Sequence, residues 1–295
     1  MLVSLAGAQD PASNIDTGQR TFASAKHAAE ALFEAAKAND QGLIQVILGP
    51  EAQNLISSGD QVADKNAREA FVTRYSQKHT LAAKAKGVDE LRIGNDSWPF
   101  PIPLKEQNGR WKFDSAAGRD EVLARRIGRN ELATIRSCRA FVQAQREYAE
   151  RSRDGEPAGI YAARLRSDPG KQNGLYWEAK ENEPPSPLGP LIAEATSEGY
   201  GQGGGKNAFH GYFYRLLTAQ GAAAPGGARS YLEDGKLKHG FALLAFPAEY
   251  RVSGIMTFVV SQQGRVYERD LGANTSQVAY QLREYNPDKS WRLVQ

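Results

Sequence analysis

Between Arg125 and Ala149 the apolar residues Ile135, Cys138, Phe141, Val142 and Tyr148 recur at spacings of three, four and seven. A repeat near 3.6 residues places them on one side of a helix, so this stretch predicts an amphipathic helix with a buried stripe. Upstream, the same period predicts three shorter helices. One runs from a Ser24 cap to about Ala38 with Ala28, Ala31, Leu32 and Ala35 inward. Another follows Asp40, carries Leu43, Ile44, Ile47 and Leu48, and stops at Gly49-Pro50. The third spans about Lys65 to Lys78 with Phe71, Val72 and Tyr75. Residues 10–20 are polar and are expected to be disordered.

The pattern then changes to period two. Leu91–Ile93, Phe100–Leu104 and Arg110–Asp114 read as strands, and Asn108-Gly109 as a hairpin turn. In Trp98-Pro99-Phe100-Pro101-Ile102-Pro103-Leu104 the prolines alternate with Phe100, Ile102 and Leu104. Proline has no N–H to donate, so the segment is expected at a sheet edge, either blocking it or lining a partner-docking surface. After the central helix come a polar loop, a second helix over Ile160–Arg166, an extended linker at Pro184–Pro187 and a short helix from Gly189-Pro190 to Glu198. A glycine-rich loop follows from Gly199 to Gly205. The last third predicts an antiparallel meander: Phe209–Thr218, a hairpin at Asp234-Gly235, Phe241–Phe246, Ile255–Ser261 and Val266–Asp270. A final helix capped by Asn274 or Thr275 closes the chain. The expected fold class is α+β in two lobes, residues 20–126 and 127–295, each with helices on an antiparallel sheet.

Composition changes this picture little. The 295 residues are 41% hydrophobic and 24% charged, with a net charge of +3, which fits a globular chain and is too small to imply a polyanionic partner. No apolar run approaches the roughly 18 residues of a membrane span. Eleven arginines against seven acids between Arg119 and Arg166 give a local excess of four. Their alternation with acids along helices predicts a solvated, ion-paired face, and no aromatic interleaving supports nucleic-acid binding. A lone Cys138 on the apolar stripe excludes an intrachain disulfide and predicts a buried structural thiol. The opening MLVSLAGAQ is short and apolar and ends near small residues at Ala6-Gly7-Ala8, as the tail of an export signal would. That predicts a periplasmic or secreted protein.

Catalytic signatures are missing. There is no Gly-x-Ser-x-Gly elbow, no His-Glu-x-x-His, no Walker loop and no dinucleotide fingerprint. The glycine-rich loop lacks the spacing of a phosphate cradle, and Asp154-Gly155-Glu156 has too few alternating oxygens for an EF-hand. The four histidines are scattered. No cofactor, metal or catalytic residue is therefore expected. Asp96 beside Trp98, and Asp114 after Trp111 and Phe113, are carboxylates near aromatic surface, where a carboxyl pKa can rise. With Phe100 they form a candidate ligand-binding set in the first lobe. His210 and Tyr212, with Tyr214, form a second candidate strip that either faces solvent or lines a cleft.

The segments Gly94–Leu104, Asn108–Asp114, Pro185–Leu191, Gly240-Phe241-Ala242 and Val252-Ser253-Gly254 together resemble an uncharacterised bacterial family, domain of unknown function 2950. The resemblance covers about residues 20–295 and implies an envelope-associated or secreted protein. It brings no activity or cofactor. The first half also resembles nuclear-transport-factor-2-like domains. The second resembles the globular part of type II secretion pseudopilins, without their apolar membrane helix. The expected role is a non-catalytic extracytoplasmic binding or scaffolding module with an envelope protein as partner. The alternatives are a small-molecule binder or enzyme with a pocket in the first lobe, and a subunit of an envelope assembly.

Overall fold

A computed structural model of the chain describes residues 13–16, 18–179, 183–200 and 208–295. The export-signal expectation at residues 1–9 and most of the glycine-rich loop lie outside the described residues. The fold is α+β, and the chain divides into two compact units, one ending at Arg125 and the other beginning at Arg126.

In the first unit a hairpin of β1 (Ser13–Asp16) and β2 (Gln19–Phe22) precedes helices α1 (Ala25–Lys37), α2 (Gln41–Leu48), α3 (Gln53–Ile56) and α4 (Gln61–Gln77). Strands β3 (His79–Ala85), β4 (Val88–Ile93), β5 (Trp98–Pro99), β6 (Leu104–Gln107) and β7 (Arg110–Phe113) complete an antiparallel sheet of order β1-β2-β7-β6-β4-β3, with β5 also on β4. The helix starts follow cap chemistry. Side chains of Ser24, Asp40 and Asp60 accept from the N–H groups of His27, Leu43 and Ala63 at 3.2, 2.9 and 3.0 Å. Each such cap is worth about 1 kcal/mol. Ala28, Leu32, Ala35, Ile44, Ile47 and Leu48 bury against Leu91, Ile93, Leu104 and Phe113. At the β6–β7 turn Asn108 and Gly109 both have positive φ, 53° and 75°, the geometry of the Asn-Gly hairpin.

Four expectations for this unit need correction. Residues 13–16 pair as a strand with 19–22, where disorder was expected over 10–20. Helix α4 begins at Gln61, four residues ahead of Lys65, because Asp60 caps it. Strand β3 has no sequence signal, because it is an exposed, alanine-rich edge without a buried alternate face. Phe100–Leu104 is not one strand: the chain pairs with β4 at Trp98–Pro99 and again from Leu104, and Pro101 and Pro103 supply no N–H to the ladder between. The alternation itself holds, since Phe100, Ile102 and Leu104 all pack on the core.

The second unit is built on α5 (Ser115–Ala149), which starts ten residues before Arg125 and whose first turns belong to the first unit. Then come α6 (Gly189–Ser197), β8 (Tyr212–Leu217) and the short strands β9 (Ala219–Gln220), β10 (Arg229–Ser230), β11 (Leu232–Glu233) and β12 (Lys236–Leu237). Next are β13 (Ala242–Pro247), β14 (Met256–Ser261), β15 (Val266–Asp270), α7 (Thr275–Gln281) and β16 (Arg292–Leu293). The main sheet is antiparallel in the order β16-β15-β14-β13-β8. Its two faces are both covered. Cys138, Phe141, Val142 and Ala144 of α5 pack with Leu243, Ala245, Phe258 and Val260 on one side. On the other, Ala242, Leu244, Phe246 and Val259 pack with Tyr231, Leu237, Ala279 and Tyr285. Every residue of β13 is therefore buried, and alternation gives way to a continuous apolar run, Ala-Leu-Leu-Ala-Phe.

Ile160–Arg166 is not helical. Gln145, itself fully buried, donates to the Ala162 carbonyl at 2.8 Å and accepts from the Ala162 N–H at 2.9 Å, while Tyr161 N–H reaches Leu237 O. Backbone groups committed to these partners cannot form an i to i−4 ladder. Pro184–Pro187 is not a free linker either: Ser186 and Leu188 are buried, and Leu188 N–H donates to Leu175 O. The arginine-rich stretch is only partly ion-paired. Arg125 meets Glu121 and Arg164 meets Asp168, both at 2.6 Å, while Arg129, Arg136 and Arg139 have no such partner among the described residues.

Candidate functional site

The tight turn between β4 and β5 carries Asp96 and leads into Trp98. Gly94 has φ 80°, and its N–H donates to the carbonyls of Arg74 and Lys78, which fixes the turn to the end of α4. The positive φ disfavours any side chain at Gly94, and a Cβ there would also press on Asp96 Oδ1 at 2.8 Å. Arg74 reaches both Asp96 oxygens at 3.1 Å. Its guanidinium lies 5.7 Å from the Trp98 ring centre, and the Arg125 guanidinium lies 4.8 Å from it. A half-buried indole thus carries two cations, and each cation has its own carboxylate, Asp96 or Glu121. This surface can stack an aromatic or apolar group and offer guanidinium edges to an acceptor.

Phe100, two residues on, packs on the same first core as Trp98. Its ring lies 5.3 Å from Phe71 and 6.1 Å from Phe113, at the end of a row that continues through Tyr75 to Phe33 and His79. Burial, with Glu30 and Glu34 adding, pushes the Tyr75 phenol up to about 12. Asp114 caps α5, accepting from Ala117 N–H at 3.1 Å, and faces Lys105 at 3.9 Å. Of the four sequence candidates in this unit, Asp96 and Trp98 share Arg74, Phe100 serves the core, and Asp114 serves the helix start. Arg74 and Arg125 were missed. They lie 24 and 27 positions from Trp98 in sequence, and no periodicity links them to it.

His210 and Tyr212 belong to the second unit. His210, at φ 50°, lies 3.5 Å from Glu198 and 4.1 Å from the Phe209 ring. Tyr212 is wholly buried, donates from its hydroxyl to Met256 O at 2.9 Å, and is pushed far above the usual phenol range by burial. Tyr214 does share its side of the sheet, with its hydroxyl 3.3 Å from Thr134 Oγ1. That side is covered by α5, so Tyr212 and Tyr214 belong to the core, whereas His210 stands ahead of β8 and is only partly buried. Among the described residues no group of three His, Cys, Asp or Glu stands close enough to hold a metal ion, and no helix is long and apolar enough to cross a membrane.

Over residues 19–294 the chain matches the protein family of unknown function DUF2950. The chain belongs to that family. No curated protein and no solved structure gives a significant match. In this DUF2950 chain the segments that carry the family resemblance have clear structural duties. Asn130 Nδ2 donates to Ser253 O at 2.9 Å, and Glu131 Oε1 accepts from Ile255 and Met256 N–H at 3.0 and 2.9 Å. These bonds hold the Val252-Ser253-Gly254 turn to α5. A Cβ at Gly254 would lie 2.1 Å from Tyr212 Oη, so only glycine passes there. At the start of α5, a Cβ on Gly118 would meet Pro101 O at 2.7 Å and Ile102 Cα at 2.8 Å, so the helix closes over the proline segment.

Proposed function

We propose that this DUF2950 protein is a non-catalytic binding or scaffolding module of the bacterial envelope, periplasmic or secreted, that docks a protein partner through the Trp98–Pro99 surface. The observation that carries the reading is the half-buried Trp98 ring with Arg74 and Arg125 against it. An indole held by a turn, a helix end and two guanidinium groups loses little freedom on binding, and Trp and Arg are the residues that dominate protein interfaces. Exposed Pro99 adds rigid apolar area beside it. The apolar, small-residue N-terminal stretch supports the location.

The test separates docking from folding inside one segment. Trp98→Ala is expected to lose some stability, because the ring also packs on the first core, to keep the wild-type circular dichroism, and to lose the envelope partner that cross-links to the wild-type protein in cells. Ile102→Ala, which removes a buried side chain, is expected to lower stability by about 2–5 kcal/mol. An unchanged cross-linking pattern for Trp98→Ala would remove this reading, and so would recovery of the protein in the cytoplasmic fraction.

The assembly-subunit reading draws on the second unit. It rests on the sequence resemblance of residues 127–295 to pseudopilin globular domains, and a long helix on an antiparallel sheet supports it. A monomer by light scattering at all concentrations would count against it.

A further inference from the structure

We propose that the exposed ridge of α5 in the second unit, Arg129, Leu132, Arg136, Arg139, Gln143 and Arg146, is a docking site for an acidic helical segment of a partner protein. The six residues follow one another at steps of three and four, and all are exposed, Leu132 by 61%. The opposite side of the helix is buried: Asn130, Ala133, Thr134, Ser137, Cys138, Phe141 and Val142 face the core. Packing on the sheet therefore explains one side of α5 and leaves the arginine side unexplained.

The charge on this ridge has no internal counterpart. Arg129, Arg136 and Arg139 make no ion pair or hydrogen bond among the described residues, and Arg146 uses Nη2 on the Gln262 carbonyl at 2.9 Å. The one acid inside the stretch, Glu131, is turned away and accepts from Ile255 and Met256 N–H. Some basic groups elsewhere in the unit do meet acids, as Arg164 with Asp168 and Lys236 with Glu156 show, both at 2.6 Å. Arg136 and Arg139 stand three apart, a spacing at which like charges destabilise a helix, and folding alone gives no return for that pair.

The chemistry of the ridge selects the occupant. Guanidinium groups form paired hydrogen bonds with carboxylates. From Arg129 to Arg146 the ridge is roughly 26 Å long at 1.5 Å per residue, and it is one residue wide. A 3-4 spacing is what a second helix presents when it packs alongside at a shallow angle. Leu132 supplies an apolar contact within the seam. A membrane surface or a nucleic-acid duplex fits less well. The ridge holds no aromatic side chain to stack on bases or enter lipid. It also ends at the exposed carboxylates Glu147 and Glu150, which an extended polyanion would have to meet.

The test uses the purified full chain and a labelled helix-forming peptide with glutamate at 3-4 spacing. The comparison probes are the same peptide with glutamine, phosphatidylglycerol vesicles and a short DNA duplex. Fluorescence anisotropy is read at ionic strengths of about 0.01 and 0.15 M, where the screening length changes roughly from 30 to 8 Å. The glutamate peptide is expected to bind, to weaken with salt, and to lose at least about tenfold in affinity, about 1.4 kcal/mol, with Arg136→Glu/Arg139→Glu. Lys289→Glu, an exposed control in the same unit, is expected to bind as the wild type does. A peptide with lysine in place of glutamate should bind the doubly reversed variant. The proposal is overturned if the glutamate peptide does not bind at low salt, if both variants bind equally, or if the ridge substitutions abolish binding of vesicles or duplex only. Unchanged circular dichroism shows that the reversed variant is folded.

Discussion

Gly254→Ala drives a methyl group into the side of a buried tyrosine. A Cβ at 254 would lie 2.1 Å from Tyr212 Oη, 2.5 Å from Cζ and 2.7 Å from Cε2. Non-bonded carbon atoms settle at about 3.5–4.0 Å, so ring and turn must separate by roughly 1 Å. Neither has room. Tyr212 is fully buried, its ring lies 5.8 Å from that of Phe258, and its hydroxyl is tied to Met256 O. The turn is held by Asn130 and Glu131. Overpacking costs about 1–3 kcal/mol. Losing the Tyr212–Met256 bond inside the core adds about 1–3 kcal/mol. The expected total, roughly 2–6 kcal/mol, is a large part of a domain's usual 5–15 kcal/mol. The assay is urea unfolding followed by circular dichroism and tryptophan fluorescence, fitted with separate transitions for the two units where they occur. The Tyr212→Phe variant alone should cost about 1 kcal/mol. In the double variant the costs should sum to less than the two singles, because the atom nearest the new methyl is gone. A Gly254→Ala protein within about 0.5 kcal/mol of the wild type would refute the steric argument.

Three further outcomes follow from the same geometry. Glu131→Ala leaves the buried-side amides of Ile255 and Met256 without their acceptor, and should destabilise by about 2–4 kcal/mol in the same unfolding assay, with faster hydrogen exchange at those two amides. Alkaline pH should destabilise the chain: burial pushes the Cys138 thiol from 9.0 up to about 12, and the Tyr75 and Tyr231 phenols also rise to about 12. The folded chain then keeps protons that the unfolded chain releases, so these groups leave stability unchanged below about pH 9 and lower it as pH rises from there to 12. For Cys138 the slope reaches about 1.4 kcal/mol per pH unit, and thermal melts across this range of Cys138→Ala should show a shallower decline than the wild type. Gly118→Ala should destabilise the first unit by about 1–3 kcal/mol through its clash with Pro101 O and Ile102 Cα, read as a lower urea midpoint.

Some of this protein is written in local sequence. Ser24 and Asp40 cap helices because a short oxygen side chain meets the free N–H groups of the next turn, and both partners lie three residues away. Asn108-Gly109 turns a hairpin because both tolerate positive φ. The α5 stripe predicts its own buried face, Cys138 included, because period and burial are the same fact on a helix packed against a sheet. Strand β15 was legible to the residue for the same kind of reason. Other features were decided only by distant partners. Ile160–Arg166 has helical composition, yet Gln145 on α5 and Leu237 take its backbone bonds. Tyr212 and Tyr214 read with His210 as a polar strip until α5 covers their side of the sheet. Trp98 could be singled out as an aromatic among prolines, but Arg74 and Arg125 reach it from two other elements. The arginines of α5 were visible as an excess, and pairing could be assumed from their acidic neighbours. Only the fold shows that Glu131 turns to the Ile255 and Met256 amides and leaves the ridge without it. Neighbours three or four positions apart act through local geometry, which sequence encodes directly, whereas partners tens of residues apart meet only when the sheet register and helix packing have brought them together.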